Sequence, residues 1–168
     1  MTISMYQASI PVLIRSIDNL VVILTKGAAD AEARKIDPTV LINSRLYPDM
    51  LPLGNQVQIV SDIARRGAAR LAGLDAPAMA DTETTFPELI ERLHQTNAYL
   101  ATLTPAQIDG SEAKAIALPI GKQTVQFEGL PYLVAFVLPN VYFHVTTAYN
   151  ILRHSGVKLG KLDFLGKS

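Results

Sequence analysis

Three histidines, His94, His144 and His154, are the residues of this chain best able to hold a metal ion or carry a proton. Two of them lie in LPNVYFHVTTAYNILRHSG, residues 138–156, which reads as one helix. Ten residues separate His144 from His154. At about 100° per residue they point roughly 80° apart, and they stand about 15 Å apart along the axis. One ion held at about 2 Å cannot reach both. A two-histidine chelate on this helix needs its partner at position 140 or 148, and those positions are Asn140 and Ala148. The spacing therefore supports no metal site and names no cofactor.

His154 lies beside Arg153 in what reads as the last turn, where cations meet free carbonyls and the negative end of the helix dipole. His94 stands one step off a leucine stripe and reads as a boundary position. His144 is different. It falls on the apolar stripe Val137, Val141, Ala148, Ile151 or Leu152, so it is expected to face inward. Gln56 lies between Leu53 and Val60 on the inward face of an earlier helix, and Asn140 stands one turn before His144. Buried polar groups cost about 1–3 kcal/mol when unpaired, so these three need partners. They pair with one another or with waters, or they line a cavity and orient a small polar ligand.

Other chemistries find no support. There is no cysteine, which excludes disulfides, thiolate metal sites and cysteine nucleophiles. No serine has a histidine placed beside it by spacing, and no glycine-rich phosphate loop occurs. Fifteen basic residues balance fifteen acidic ones, so charge makes no case for nucleic acid or an anionic membrane as partner. Arg45, Arg65, Arg66 and Arg70 form a basic stretch. Asp62 stands one turn before Arg66, however, and the group reads as a solvated, ion-paired face. The apolar N-terminus is broken by Gln7, Arg15, Asp18 and Asn19 and reads as neither a signal peptide nor a membrane span. A soluble, cytoplasmic protein is the expectation.

The 168 residues, 49% of them hydrophobic, suffice for one domain with its own core, spanning 1–168. Four amphipathic helices carry the candidate residues. In the first, Ile3, Tyr6, Ile10, Leu13, Ile17, Leu20 and Leu24 recur at steps of three and four. Pro11 predicts a kink there, or a start near Ser9. Asp37-Pro38 opens a short helix. The second long helix runs from about Pro52 to Ala72 on Leu53, Val57, Val60, Ile63, Ala64, Gly67 and Leu71, and Gly73 stops it. Thr85-Phe-Pro-Glu88 is a capping box that opens the third, with Leu89, Leu93, Thr96, Leu100 and Leu103 on one face. Residues 112–129 change period. Ala115 and Ala117, then Val125 and Phe127, alternate with polar residues around Ile120-Gly121-Lys122, which predicts a β-hairpin. Gly129-Leu130-Pro131 starts the fourth helix, kinked at Pro139 and stopped by Gly156. The tail VKLGKLDFLGKS is too rich in glycine for a helix, but its Val157, Leu159, Leu162, Phe164 and Leu165 call for burial on the bundle or on a second subunit. The fold class is all-α, a four-helix bundle with a small β-hairpin between helices three and four.

Two stretches, RLYPDMLPLGNQVQ (45–58) and LPNVYFHVTTAYNILRHSGVKLGKLDFLG (138–166), resemble a bacterial family known as the domain of unknown function numbered nineteen ninety-three. That family is grouped with the DinB/YfiT-like superfamily, and the resemblance covers nearly the whole chain. It implies a DinB-like four-helix bundle, as a homodimer. It also implies a place for Asp49 at the mouth of the site, because Tyr47-Pro48-Asp49-Met50 leads into the second helix. Superfamily enzymes use a divalent metal on three histidines to activate a low-molecular-weight thiol, with one ligand on the second helix and two a turn apart on a later one. Here the second helix holds no histidine, and the later one offers only His144. Three readings stay open. The chain binds a small polar molecule through His144, Asn140, Gln56 and Asp49; or it is a thiol transferase with a degenerate metal site; or it is a structural homodimer whose apolar tail serves assembly.

Overall fold

The computed structural model describes residues 2–166, with Ile120 by its backbone alone. Helix α1 (Met5–Ala33) begins at a capping box in which Ser4 and Gln7 satisfy each other's backbone N–H groups. Asp109 accepts from the Tyr6 N–H at 2.8 Å and closes the first turn. The helix starts four residues before Ser9, so Pro11 lies inside it. Pro11 is exposed, and the carbonyl it leaves without a donor can turn to water. The stripe from Ile10 to Leu24 is fully buried, while Ile3 precedes the helix and is exposed; Met5 and Ser9 take the inward places near the start.

Asp37 caps the short α2 (Pro38–Ile42). Helix α3 (Leu53–Ala72) follows Pro52 and ends where Gly73 adopts φ 75°, the left-handed cap. Helix α4 (Phe86–Ala101) opens at the Thr85–Glu88 capping box. Thr104-Pro105 does more than end a helix: it opens a further short one, α5 (Pro105–Ile108). The last long helix, α7 (Leu138–His154), completes the set. α3 packs against α4 and α7, and α1 packs against the same two, so the four long rods form a closed ring around one core.

Strands β1 (Ala115–Ile120) and β2 (Gln123–Glu128) pair antiparallel, with Ile116 opposite Phe127 and Leu118 opposite Val125. The expected parity on β1 was off by one. Ile116 and Leu118 are buried and Ala115 and Ala117 are exposed, because the larger side chains cover the bundle. The last rod is composite: α6 (Gly129–Tyr132), a π-helical turn over Leu133–Val137, and then α7. Pro139 has no N–H to give one turn back, and the ladder widens just before it, so that Leu138 N–H bonds the carbonyl of Leu133.

The tail docks on its own bundle. Val157 and Leu159 are buried. Arg15 donates to the Leu165 carbonyl at 3.0 Å, Asn19 to that of Phe164 at 2.8 Å, and Lys26 pairs with Asp163. Against expectation, Lys161–Leu165 is helical (α8), the glycines standing at its two ends instead of inside it. Leu162 is exposed, so not every apolar tail residue is covered. Lys167 and Ser168, the end of that predicted tail, lie outside the described residues.

Gly129 joins the hairpin to the last rod where the chain is tightest. The Leu130 N–H bonds the Glu112 carbonyl at 2.9 Å, and a Cβ on Gly129 would run into the Ser111 carbonyl oxygen. Backbone cannot swing aside as a side chain can. Gly129→Ala is therefore expected to cost about 3 kcal/mol or more. Gly160→Ala, where a Cβ meets nothing within 4 Å, should stay within about 1 kcal/mol of the parent. Urea unfolding of the two variants measures the contrast.

Candidate functional site

Gln56 lies in the first turn of α3 and is only 2% exposed. Its amide bridges two elements. Nε2 donates to the Leu51 carbonyl at 2.9 Å, and Oε1 lies 2.6 Å from Nδ1 of His144 on α7. The Leu51 carbonyl can only accept, so the amide nitrogen must face it. The amide oxygen then faces the imidazole, and Nδ1 must carry the proton. His144 is thereby held as the Nδ1–H tautomer, and Nε2 keeps a free lone pair.

The ring is half-buried, with Phe143 edge-on at 5.1 Å. Burial holds its pKa below the usual imidazole value, so the ring is neutral at pH 7. A neutral imidazole with one nitrogen fixed and the other unprotonated can accept a proton or a hydrogen bond.

The other sequence-predicted residues stand apart from this pair. Asn140 spends its amide on the Phe136 carbonyl at 2.7 Å, in the stretch where the helical ladder is disturbed. Asp49 is exposed in the turn closed by Met50 N–H on the Tyr47 carbonyl. Among the described residues no hydrogen bond or ion pair joins either of them to Gln56 or His144. His94 and His154 are exposed.

The divalent metal that the resemblance implies does not fit these side chains. Nδ1 of His144 is taken by Gln56, and positions 140 and 148 offer an amide already bonded to backbone and a methyl group. Among the described residues no three His, Asp or Glu side chains come together as a metal-holding group.

A second polar cluster escaped the sequence reading. Arg65 and Arg92 are 1% and 2% exposed. Arg92 Nη2 meets Asp62 and Asp81, each at 2.9 Å, while Nη1 meets Glu83 at 3.0 Å and the Ala80 carbonyl at 2.9 Å. Arg65 and Arg66 also grip Asp62, so the expected Asp62–Arg66 pair exists, but Arg65 is not on a solvated face. Burial works against the Glu83 carboxylate, yet the hydrogen bond from Gln58 and the Arg92 guanidinium outweigh it and hold its pKa below the usual value. The inward-polar test that picked out Gln56 would have found Arg92, which sits between Leu89 and Thr96 on a buried stripe.

Four helices in a ring, with a hairpin inserted before the last, define the DinB-like bundle. A crystal structure of a DinB family member protein from Shewanella denitrificans is similar to this chain with a TM-score of 0.88 and 38% identity, over 97% of this chain and 92% of that one. The family model described as domain of unknown function DUF1993 matches residues 5–165, and the chain belongs to that family. No curated protein matches it.

The Arg92 cluster straps the loop from Gly73 to Thr85 onto α3 and α4. Replacing Arg92 with Leu leaves Asp62 and Glu83 short of a partner in a site with little water. The expected loss is about 3–5 kcal/mol in urea unfolding. Faster proteolysis within residues 74–84 should accompany it, and a loss under about 1 kcal/mol would show that the strap is not structural.

Proposed function

We propose that this DinB-like protein binds a small polar molecule at the Gln56–His144 pair, with Nε2 of His144 accepting a hydrogen bond from it. The observation that carries this reading is the one-way chain from Leu51 carbonyl to Gln56 amide to His144 Nδ1–H. It commits one face of the ring and leaves the other a neutral acceptor. Phe143, exposed and edge-on to His144, supplies an apolar rim beside the pair. Such a rim raises the value of each hydrogen bond made inside it. The ligand class is a small hydrogen-bond donor, an alcohol, amide or amine. The proposed setting is the cytoplasm, since a cysteine-free chain gains nothing from an oxidising compartment.

A nitrogen-correlated NMR spectrum of the histidine rings tests the tautomer: Nε2 of His144 should be unprotonated at pH 7. A screen of small alcohols, amides and amines should find binders of the parent that His144→Leu loses. Retention of every binder by that variant would overturn the reading. The pH dependence has a definite sign. The unfolded chain takes up this proton more readily than the folded one. Stability is therefore intact above about pH 6.5 and is lost as pH falls through the lowered pKa of His144. In His144→Leu that part of the acid loss disappears.

We propose second that two copies associate as a homodimer. Its support is the exposed Tyr142 and Phe143 on α7, beside an apolar groove of about 470 Å³ between α1, α7 and α8. Light scattering should give twice the chain mass, and Tyr142→Glu should halve it. A monomeric parent at micromolar concentration would remove the proposal.

A further inference from the structure

The seam between α3 and α7 does not end at the Gln56–His144 pair. Ile59, Ile63, Arg66 and Arg70 continue the same side of α3, and Asn140, Phe136 and Tyr132 continue the last rod in the opposite sequence direction. Between them, closed by Leu118 and Pro119 of the hairpin, lies a separate cleft of about 520 Å³.

Its charge is uneven. Two guanidiniums, Arg66 and Arg70, and one carboxylate, Asp62, line it, which leaves a surplus of one positive charge. Asp62 is already gripped by Arg65, Arg66 and Arg92. Arg70 has no carboxylate within ion-pair distance among the described residues. Among the described residues its side chain makes one hydrogen bond, to the neutral Tyr132 hydroxyl at 3.3 Å. A guanidinium carries five donors, so most of Arg70's are uncommitted. The rest of the lining is largely apolar. Phe136 stacks on the buried Tyr132 ring at 5.6 Å and 12°, and Ile59 and Ile63 are half-buried along α3.

An apolar cleft with a forked cation at one end matches a ligand with the complementary division. We propose that this cleft binds a small organic carboxylate, its head on Arg70 and Arg66 and its hydrocarbon or aromatic body against Ile59, Ile63 and Phe136. The guanidinium fork fits both carboxylate oxygens, and one surplus charge suits a monoanion better than a phosphate dianion. The cleft shares no side chain with the Gln56–His144 pair, so the two sites stand or fall separately.

The test uses the full chain and three probes at millimolar concentration: 3-phenylpropionate, its neutral amide, and inorganic phosphate. Nitrogen–proton NMR follows the Arg70 Nε–H and the backbone amides of residues 59–70 and 132–140. 3-Phenylpropionate should shift these signals saturably, and the amide should bind at least about tenfold more weakly. Arg70→Gln, which keeps a donor for Tyr132, should weaken the carboxylate about tenfold. Arg66→Gln, which gives up one exposed ion pair with Asp62, should weaken it severalfold. Equal binding of the amide, full affinity in Arg70→Gln, phosphate shifting the same signals as strongly, or no saturable shift with any probe would each overturn the proposal.

Discussion

Asp62 lies among three guanidiniums, and two of them, Arg65 and Arg92, are almost wholly withdrawn from water. Moving an ion out of water costs on the order of several kcal/mol even after relaxation, so these charges persist only because they are paired. That requirement organises one side of the bundle. Arg65 and Asp62 come from α3 and Arg92 from α4, while Ala80, Asp81 and Glu83 come from the segment that joins them. A connection without regular structure, running from Gly73 to Thr85, would otherwise have few reasons to lie flat. Nε of both buried arginines still lacks a partner among the described residues. The pairing is thus strong but not complete, and the network specifies position more than it adds stability.

With α3 fixed on that side, its opposite wall meets α7. These two share the most extensive contact of any two helices, and Gln56 and His144 face each other across it. The separation of roles along the seam comes from sequence position. Near the start of α3 the carbonyl of Leu51 is free to orient Gln56. Farther along, Arg70 reaches Tyr132 just before the π-helical turn. The irregular backbone before Pro139 turns Asn140 into a backbone partner instead of a member of the polar pair. Mid-helix π turns often accompany functional sites, and here one forms part of the cleft wall through Phe136.

The residues themselves revealed whatever depends on neighbours along the chain. The caps at Asp37 and Thr85, the stop at Gly73 and the stripes of α1, α3 and α4 arise from local backbone needs and the 3.6-residue period. His144 and Gln56 were legible as inward polar residues for the same reason. The errors have equally physical causes. On β1, two alanines and two larger apolar residues alternate, and only the bundle surface decides which pair is covered. In the tail, the glycines looked like helix breakers, yet they cap a five-residue helix that Arg15 and Asn19 hold in place. Arg65 reads from the sequence as part of a solvated face because arginine seldom goes inside without partners; Arg92, buried beside it, takes Ala80, Asp81 and Glu83 from a loop with no pattern of its own.

By itself the sequence determined the number of the long helices, the hairpin and the inward turn of His144. These rest on short-range geometry, where each residue's preference is felt within a turn or two. Only the tertiary structure decided that His144 bonds Gln56 and not Asn140, that Asp62 serves three arginines, and that Arg70 meets no carboxylate among the described residues. Charge pairing and tautomer depend on which distant groups arrive within about 3 Å, and no periodicity along one chain encodes that distance.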